Sequence, residues 1–251
     1  MDRIALLIID VQYDFLPPSG SLAAEHGEEI LPIIEDLLDE TKWDWPVIVA
    51  SQDYHPRDHI SFATTHPPHK PFEPLLLKDA RGTNYEQTLW PEHCIQGTKG
   101  SEIEESVKEK LDKWSDKVKL SRKGTHIGLE AYSAFEGYIT EFSNPSEPTL
   151  EWSSGKPPES TLPEQSPLSL YLRQKGIEKV VIVGLATDFC VFQTALSSIS
   201  ASFDTLLLGP AMRGISKEGT EKAFERLRSM GGTVIDQGDT NWNTKIRDWA
   251  K

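Results

Sequence analysis

The chain holds two cysteines, and one of them, Cys190, stands where a thiol can be made reactive. It follows the apolar run 180–183 and the segment Gly184-Leu185-Ala186-Thr187-Asp188-Phe189, and it precedes a helically patterned stretch, 191–200. The free N–H groups and positive dipole end at the start of a helix lower a thiol's pKa and can hold an oxyanion. By position alone a buried core cysteine is an equally good reading. Asp10 ends another apolar run, 5–9. An Asp brought beside Cys190 would take the thiol proton, and its loss would then be expected to slow thiol alkylation. A neighbouring lysine would keep the acid ionised and favour the thiolate; Lys123, after the run 118–120, is the candidate. Each of the two also has an ordinary reading, Asp10 as a turn residue and Lys123 as a solvated surface charge.

A second set could hold a metal. Asp53, His55 and His59 follow the run 47–50, and His93 lies in the segment Trp90-Pro91-Glu92-His93-Cys94. One carboxylate and two imidazoles can bind a divalent ion and leave positions open for water or substrate. Spacing leaves the histidine ligands open among His55, His59, His66, His69 and His93. Zinc, manganese and iron all suit such donors.

These side chains come from distant segments, so the fold must gather them. Six short apolar runs, at 5–9, 47–50, 118–120, 180–183, 205–208 and 233–235, read as strands buried on both faces. Between them, helical spacing covers 28–42 and 101–114; Ser166-Pro167 opens a helix closed by Gly176, and Ser216 opens another that ends at Gly231. The pattern predicts one α/β domain over residues 1–251: a doubly wound, mostly parallel six-stranded sheet with helices on both faces. In such sheets ligands sit beyond the carboxyl ends of the strands, at the point where strand order reverses. If that point falls between the first and fourth runs, Asp10 and Cys190 become neighbours. The third run would lie two strands from the first, about 9–10 Å away, so the loop carrying Lys123 would have to fold inward. Residues 141–165, rich in Pro, Ser and Glu, read as a surface insertion to which no chemistry attaches.

Composition narrows the partners. The chain has 251 residues and a formal charge of −13, which repels nucleic-acid backbones and favours a neutral or cationic small molecule. No apolar run approaches the roughly 20 residues of a membrane helix. The first apolar run is too short for a signal core, and the last three residues are no peroxisomal address. Two cysteines make no disulfide framework, so a reducing, cytoplasmic setting is expected. Nothing in the composition forbids a homo-oligomer.

Five segments, ALLIIDVQYDF (5–15), SQDYHPRDHISF (51–62), LWPEHC (89–94), KG…YSAF (123–135) and GLATDFCV (184–191), together resemble the nicotinamidase branch of the isochorismatase-like cysteine hydrolases. They occur in that family's order and span most of the chain. The resemblance implies a catalytic triad of Cys190, Asp10 and Lys123, and a metal held by Asp53, His55 and His93, with His59 structural. It implies a cis Leu185–Ala186 peptide, an oxyanion hole from the N–H groups of Ala186 and Cys190, and a substrate ring held by Phe15, Trp90 and Tyr132. The implied reaction is hydrolysis of nicotinamide to nicotinate and ammonia through a cysteine thioester, in NAD salvage, with one divalent ion, zinc first. Glu130 stands where many relatives carry Asp, and Cys94 is expected to be a packing residue. Two other readings compete: a metal-independent amidohydrolase of the same superfamily, for N-carbamoyl or ureido substrates, and a catalytically silent binding protein. The first should lack the Asp-x-His plus His set, and the second should leave the triad apart.

Overall fold

The computed structural model describes residues 3–156 and 162–251. Its main sheet is built from β1 (Ile4–Ile9), β2 (Val47–Asp53), β5 (Val118–Lys123), β6 (Tyr138–Glu141), β7 (Lys179–Leu185), β8 (Asp204–Arg213) and β9 (Thr233–Ile235). A separate hairpin pairs β3 (Pro74–Lys78) with β4 (Asn84–Thr88). The order β6-β5-β2-β1-β7-β8-β9 is parallel except for β6, which runs antiparallel to β5 at the edge. The sheet therefore has seven strands, not six. The strands missing from the sequence reading are β6 and the hairpin. Each is four or five residues long, and none is buried along its length. Only β3 carries an apolar run, Leu75–Leu77, and Pro74 and Lys78 bound it closely.

All six residues of β1 are buried, because both faces of the sheet are covered. Ile4, Leu6 and Ile8 enter one core with side chains of α1 (Leu31–Leu37), α2 (Glu105–Lys113) and α7 (Trp242–Ala250). Ala5, Leu7 and Ile9 enter the other, with α4 (Pro167–Gln174), α5 (Phe192–Ser200) and α6 (Lys217–Ser229). The fold is thus doubly wound, as alternation of strands and helices requires. A four-residue helix, α3 (Leu150–Ser153), lies in the Pro/Ser-rich segment.

Helix ends follow local chemistry. The Oγ of Ser166 accepts the Ser169 N–H at 3.1 Å ahead of Pro167, and the Oγ of Ser216 accepts the Gly219 N–H at 3.0 Å. The helix expected over 28–42 is shorter: a 3₁₀ turn, Gly27–Ile30, leads into α1. Pro32 has no N–H to bond back to residue 28, so the regular helix starts beside it.

Two features of register place the site. Asp53 and Lys123 pair directly at the carboxyl ends of β2 and β5, and Ile9 pairs with Gly184 on β1 and β7. Gly184 has φ +119°, and a Cβ there would lie 2.1 Å from the Ile9 carbonyl oxygen, so only glycine lets the two strands meet. Strand order reverses about β1, with β2 on one side and β7 on the other.

The 141–165 segment, of which 157–161 lie outside the described residues, has a structural task. Thr125 Oγ1 donates to the Trp152 carbonyl at 3.0 Å, and the Ile127 N–H donates to the Ser153 carbonyl at 2.7 Å. It braces the loop that follows Lys123. Among the described residues no helix is long and apolar enough to cross a membrane.

Candidate active site

Asp10 is the first residue after β1, Lys123 the last of β5, and Cys190 lies in the turn after β7. The three meet. Lys123 Nζ is 3.2 Å from Cys190 Sγ and 2.8 Å from Asp10 Oδ2, and it also donates to Asp53 Oδ1. The sulfur and a carboxylate oxygen of Asp10 lie within 4.8 Å of each other. No inward fold of the loop is needed, contrary to expectation. Lys123 belongs to the strand itself, and its long side chain crosses the end of β2 at Asp53 to reach β1 and β7.

Asp10 has φ 48°, a left-handed conformation that Asp tolerates, which turns its side chain into the sheet edge. Its Oδ1 accepts the Ser51 hydroxyl at 2.6 Å, while Oδ2 lies 2.8 Å from the Lys123 ammonium. That oxygen is left with capacity to accept a proton. Burial pushes the Asp10 carboxyl up, and Lys123 opposes the rise. Burial also pushes the Cys190 thiol well above its ordinary value, with Lys123 pulling the other way and Asp10 adding to the rise. For Lys123 burial works against the charge, but Asp10 and Asp53 outweigh it and hold the ammonium well above the usual lysine range. These directions favour a protonated thiol beside an ammonium held between two carboxyl groups.

Cys190 does not open a regular α-helix. It sits in a π-helical turn, Thr187–Val191, ahead of α5. The Ala186 carbonyl accepts N–H groups from Phe189 at 3.0 Å and Val191 at 3.1 Å. The Leu185–Ala186 peptide is cis. Asp188, one turn residue away, accepts the N–H groups of Ile215 at 2.9 Å and Ser216 at 3.0 Å, tying this turn to the start of α6.

Asp53, His55 and His93 form the second cluster, with one ligand atom from each within 4.8 Å of the others. His55 Nδ1 lies 2.8 Å from the Gly124 carbonyl, and His93 Nδ1 lies 2.8 Å from the Pro91 carbonyl. A carbonyl accepts only from N–H, so each ring donates from Nδ1 and turns Nε2 toward Asp53 Oδ2, 3.6 and 3.9 Å away. Burial pushes the His93 imidazole down to about 3, keeping it neutral. Gly124 is required here: its φ is +60°, and a Cβ would lie 2.2 Å from the His55 ring. Burial works against a charge on His55, but Asp53 outweighs it and raises that imidazole. Two imidazoles and a carboxylate fit a divalent metal.

The remaining histidines are otherwise engaged. His59 stacks beside His55, with Nδ1 2.7 Å from Ser61 Oγ and Nε2 2.9 Å from the Leu129 carbonyl. His66 Nε2 bonds the Ile60 carbonyl at 2.7 Å, and His69 pairs with Glu73 on the surface. Cys94 is buried, its thiol raised well above the usual range by burial and then by Asp53, and its sulfur faces the Gly100 carbonyl. That is a packing position.

Phe15, Trp90 and Tyr132 line a small cavity that also exposes Cys190, Ala186, Asp53 and His93. The Tyr132 hydroxyl accepts the Trp90 Nε1–H at 3.0 Å, fixing the two rings together. Glu130, Leu22, Phe189 and Ile215 complete the wall, and the last three were not singled out from sequence. Gln12 was missed as well. Its amide donates to the Asp53 carbonyl at 2.8 Å and accepts the Asp53 N–H at 2.9 Å, anchoring the strand end that carries Asp53. Its burial shows only in the fold, so nothing in the chain marks it.

This chain belongs to the isochorismatase domain family, whose model matches residues 4–122 and 160–239. It is 32% identical over 237 residues to a nicotinamidase of Schizosaccharomyces pombe, covering 94% of each chain. Its structure is similar to that of the yeast nicotinamidase bound to the inhibitor nicotinaldehyde, with TM-score 0.77 and 29% identity over 93% of this chain and 99% of the other. It is also similar to the pyrazinamidase of Pyrococcus horikoshii in complex with zinc, with TM-score 0.65 and 28% identity over 93% of this chain and 99% of that one.

Proposed function

We propose that this chain is a nicotinamidase: it cleaves the amide C–N bond of nicotinamide to give nicotinate and ammonia, a step of NAD salvage, through a thioester on Cys190. The observation that carries this reading is the buried contact of Lys123 with Cys190, Asp10 and Asp53 at the mouth of an aromatic cavity. Asp10 takes the thiol proton as the sulfur attacks the amide carbon. The N–H groups of Ala186 and Cys190 hold the developing oxyanion. Asp10 returns the proton to the departing ammonia, then activates water against the thioester. Lys123 offsets the negative charge at each stage. Phe15, Trp90 and Tyr132 hold the pyridine ring.

Asp53, His55 and His93 would hold one divalent ion, for which we propose zinc; when bound it supplies a Lewis acid that orients and polarises the ring. The presence of this trio disfavours a metal-independent relative, and the assembled triad disfavours a silent binding protein. The two buried free thiols suit a cytoplasmic protein. Ammonia release from nicotinamide tests the reading: turnover should be lost on treatment with iodoacetamide and on metal stripping. A chain that leaves nicotinamide intact would exclude it. Asp53→Ala should bind no metal, as measured by elemental analysis after gel filtration; full metal content would remove Asp53 from the ligand set.

Asp10→Asn separates base from electrostatics. Against the simple expectation of slower alkylation stands the charge of Asp10, which adds to the rise that burial gives the thiol pKa. Its removal leaves Lys123 facing the sulfur with one fewer anion, so thiolate becomes more abundant at a given pH. Amide turnover should fall about 10²- to 10⁴-fold, while iodoacetamide reacts with Cys190 no more slowly than before. Equal loss of both would argue against Asp10 as the base.

A further inference from the structure

The cavity above Cys190 is narrow, with a volume of about 30 Å³. Beside it, under α6, runs a wider groove of about 460 Å³. Three side chains face both spaces: Trp90, Phe189 and Ile215. They differ in how they are held. Trp90 is hydrogen-bonded through its ring nitrogen to Tyr132, and Ile215 follows a backbone pinned by Asp188. The Phe189 ring has no polar atom to anchor it and packs edge-on to Trp90 at 4.9 Å and tilted against Tyr132 at 6.1 Å. It is half-buried, and it directly precedes the nucleophile. Its backbone N–H bonds the Ala186 carbonyl, so the turn does not depend on the ring.

We propose that Phe189 is the specificity-determining partition of this site: its ring separates the cavity at Cys190 from the groove under α6, and so confines substrates to amides on an unsubstituted ring. The proposal rests on the amidase reading above for its substrate, but not for its geometry. Truncating the ring joins the two spaces, and the apolar groove, walled by Phe72 and Phe192, then receives what the cavity excludes. In an apolar pocket one methyl group is worth about 10- to 200-fold in selectivity.

Two measurements on the full chain test this, with unaltered protein, Phe189→Ala and Phe192→Ala. Phe192 walls the groove but not the cavity, so its variant is a control. The first is the rate of Cys190 alkylation by N-phenyl iodoacetamide relative to iodoacetamide, with the modified cysteine assigned by mass spectrometry. The second is kcat/KM for nicotinamides methylated at each free ring carbon, relative to nicotinamide. Phe189→Ala should raise the alkylation ratio, and the substrate ratio for at least one methylated ring, about tenfold or more; Phe192→Ala should change neither. Ratios that stay constant in Phe189→Ala, or reagents accelerated equally whatever their size, would overturn the proposal, since loss of packing alone moves both members of each pair together. Phe189→Leu reads the same ratios should the alanine variant not fold. If the unaltered chain does not hydrolyse nicotinamide, the amidase reading fails, and the alkylation ratio still decides the role of Phe189.

Discussion

Cys190→Ala should abolish amide hydrolysis, lowering kcat on the order of 10⁵- to 10⁶-fold, while leaving the chain folded. Without sulfur there is no covalent route, and the carboxylate of Asp10 would have to activate water against an amide directly. The fold should survive because the substitution removes one small atom from a buried turn. The ammonium of Lys123 keeps both of its carboxylates, and the turn keeps its bonds to the Ala186 carbonyl. The same variant should still bind metal, since no ligand is touched. Steady-state ammonia release and thermal unfolding, measured side by side, check the prediction. A folded variant that hydrolyses nicotinamide at even a hundredth of the original rate would rule out Cys190 as nucleophile.

Lys123→Met should cost about 3–5 kcal/mol of stability, because it strips the partner from two buried carboxylates at once. Methionine fills much of the volume, so the loss is electrostatic more than steric. Its pH dependence identifies the cause. Without the ammonium, Asp10 and Asp53 repel each other and the Asp10 carboxyl, already raised by burial, rises further. A carboxyl whose folded pKa exceeds its unfolded value binds more protons when folded, so stability falls as pH rises from the unfolded value through the folded one. The deficit of the variant should therefore be full at alkaline pH and shrink as the pH falls toward 5. Denaturant unfolding in chelator at both ends of that range reads it directly. A deficit below about 1 kcal/mol, or one independent of pH, would mean that Lys123 is not the counter-ion described here. Activity should fall too, since the thiol loses the one neighbour that lowers its pKa.

Much of this molecule was open to reading from its residues alone. The central strands are apolar on both faces, so runs such as 5–9 and 180–183 mark themselves. The residues with chemical capacity stand directly after them, because that is where a parallel sheet presents side chains to a ligand. The family is legible too, since five separated segments keep their order. Other features are not local. The helix over 28–42 shortened at a proline, and edge strand β6 owes its existence to pairing with β5 rather than to its own four residues.

Amino-acid type and order thus determined the sheet, the nucleophile candidate, and the donors able to bind a metal. Tertiary structure decided which of them meet. From spacing, five histidines compete as ligands; only packing sets two Nδ1 atoms on carbonyls, aims two Nε2 atoms at Asp53 and occupies both nitrogens of His59. Lys123 looked like a loop charge needing a detour, yet strand register alone puts it opposite Asp53 and within reach of both Asp10 and Cys190. Gln12, Phe189 and Ile215 carry no signature of their own in the chain. Their positions follow from contacts between segments far apart in sequence, and such contacts are specified by the closing of the whole core, not by any stretch of residues read by itself.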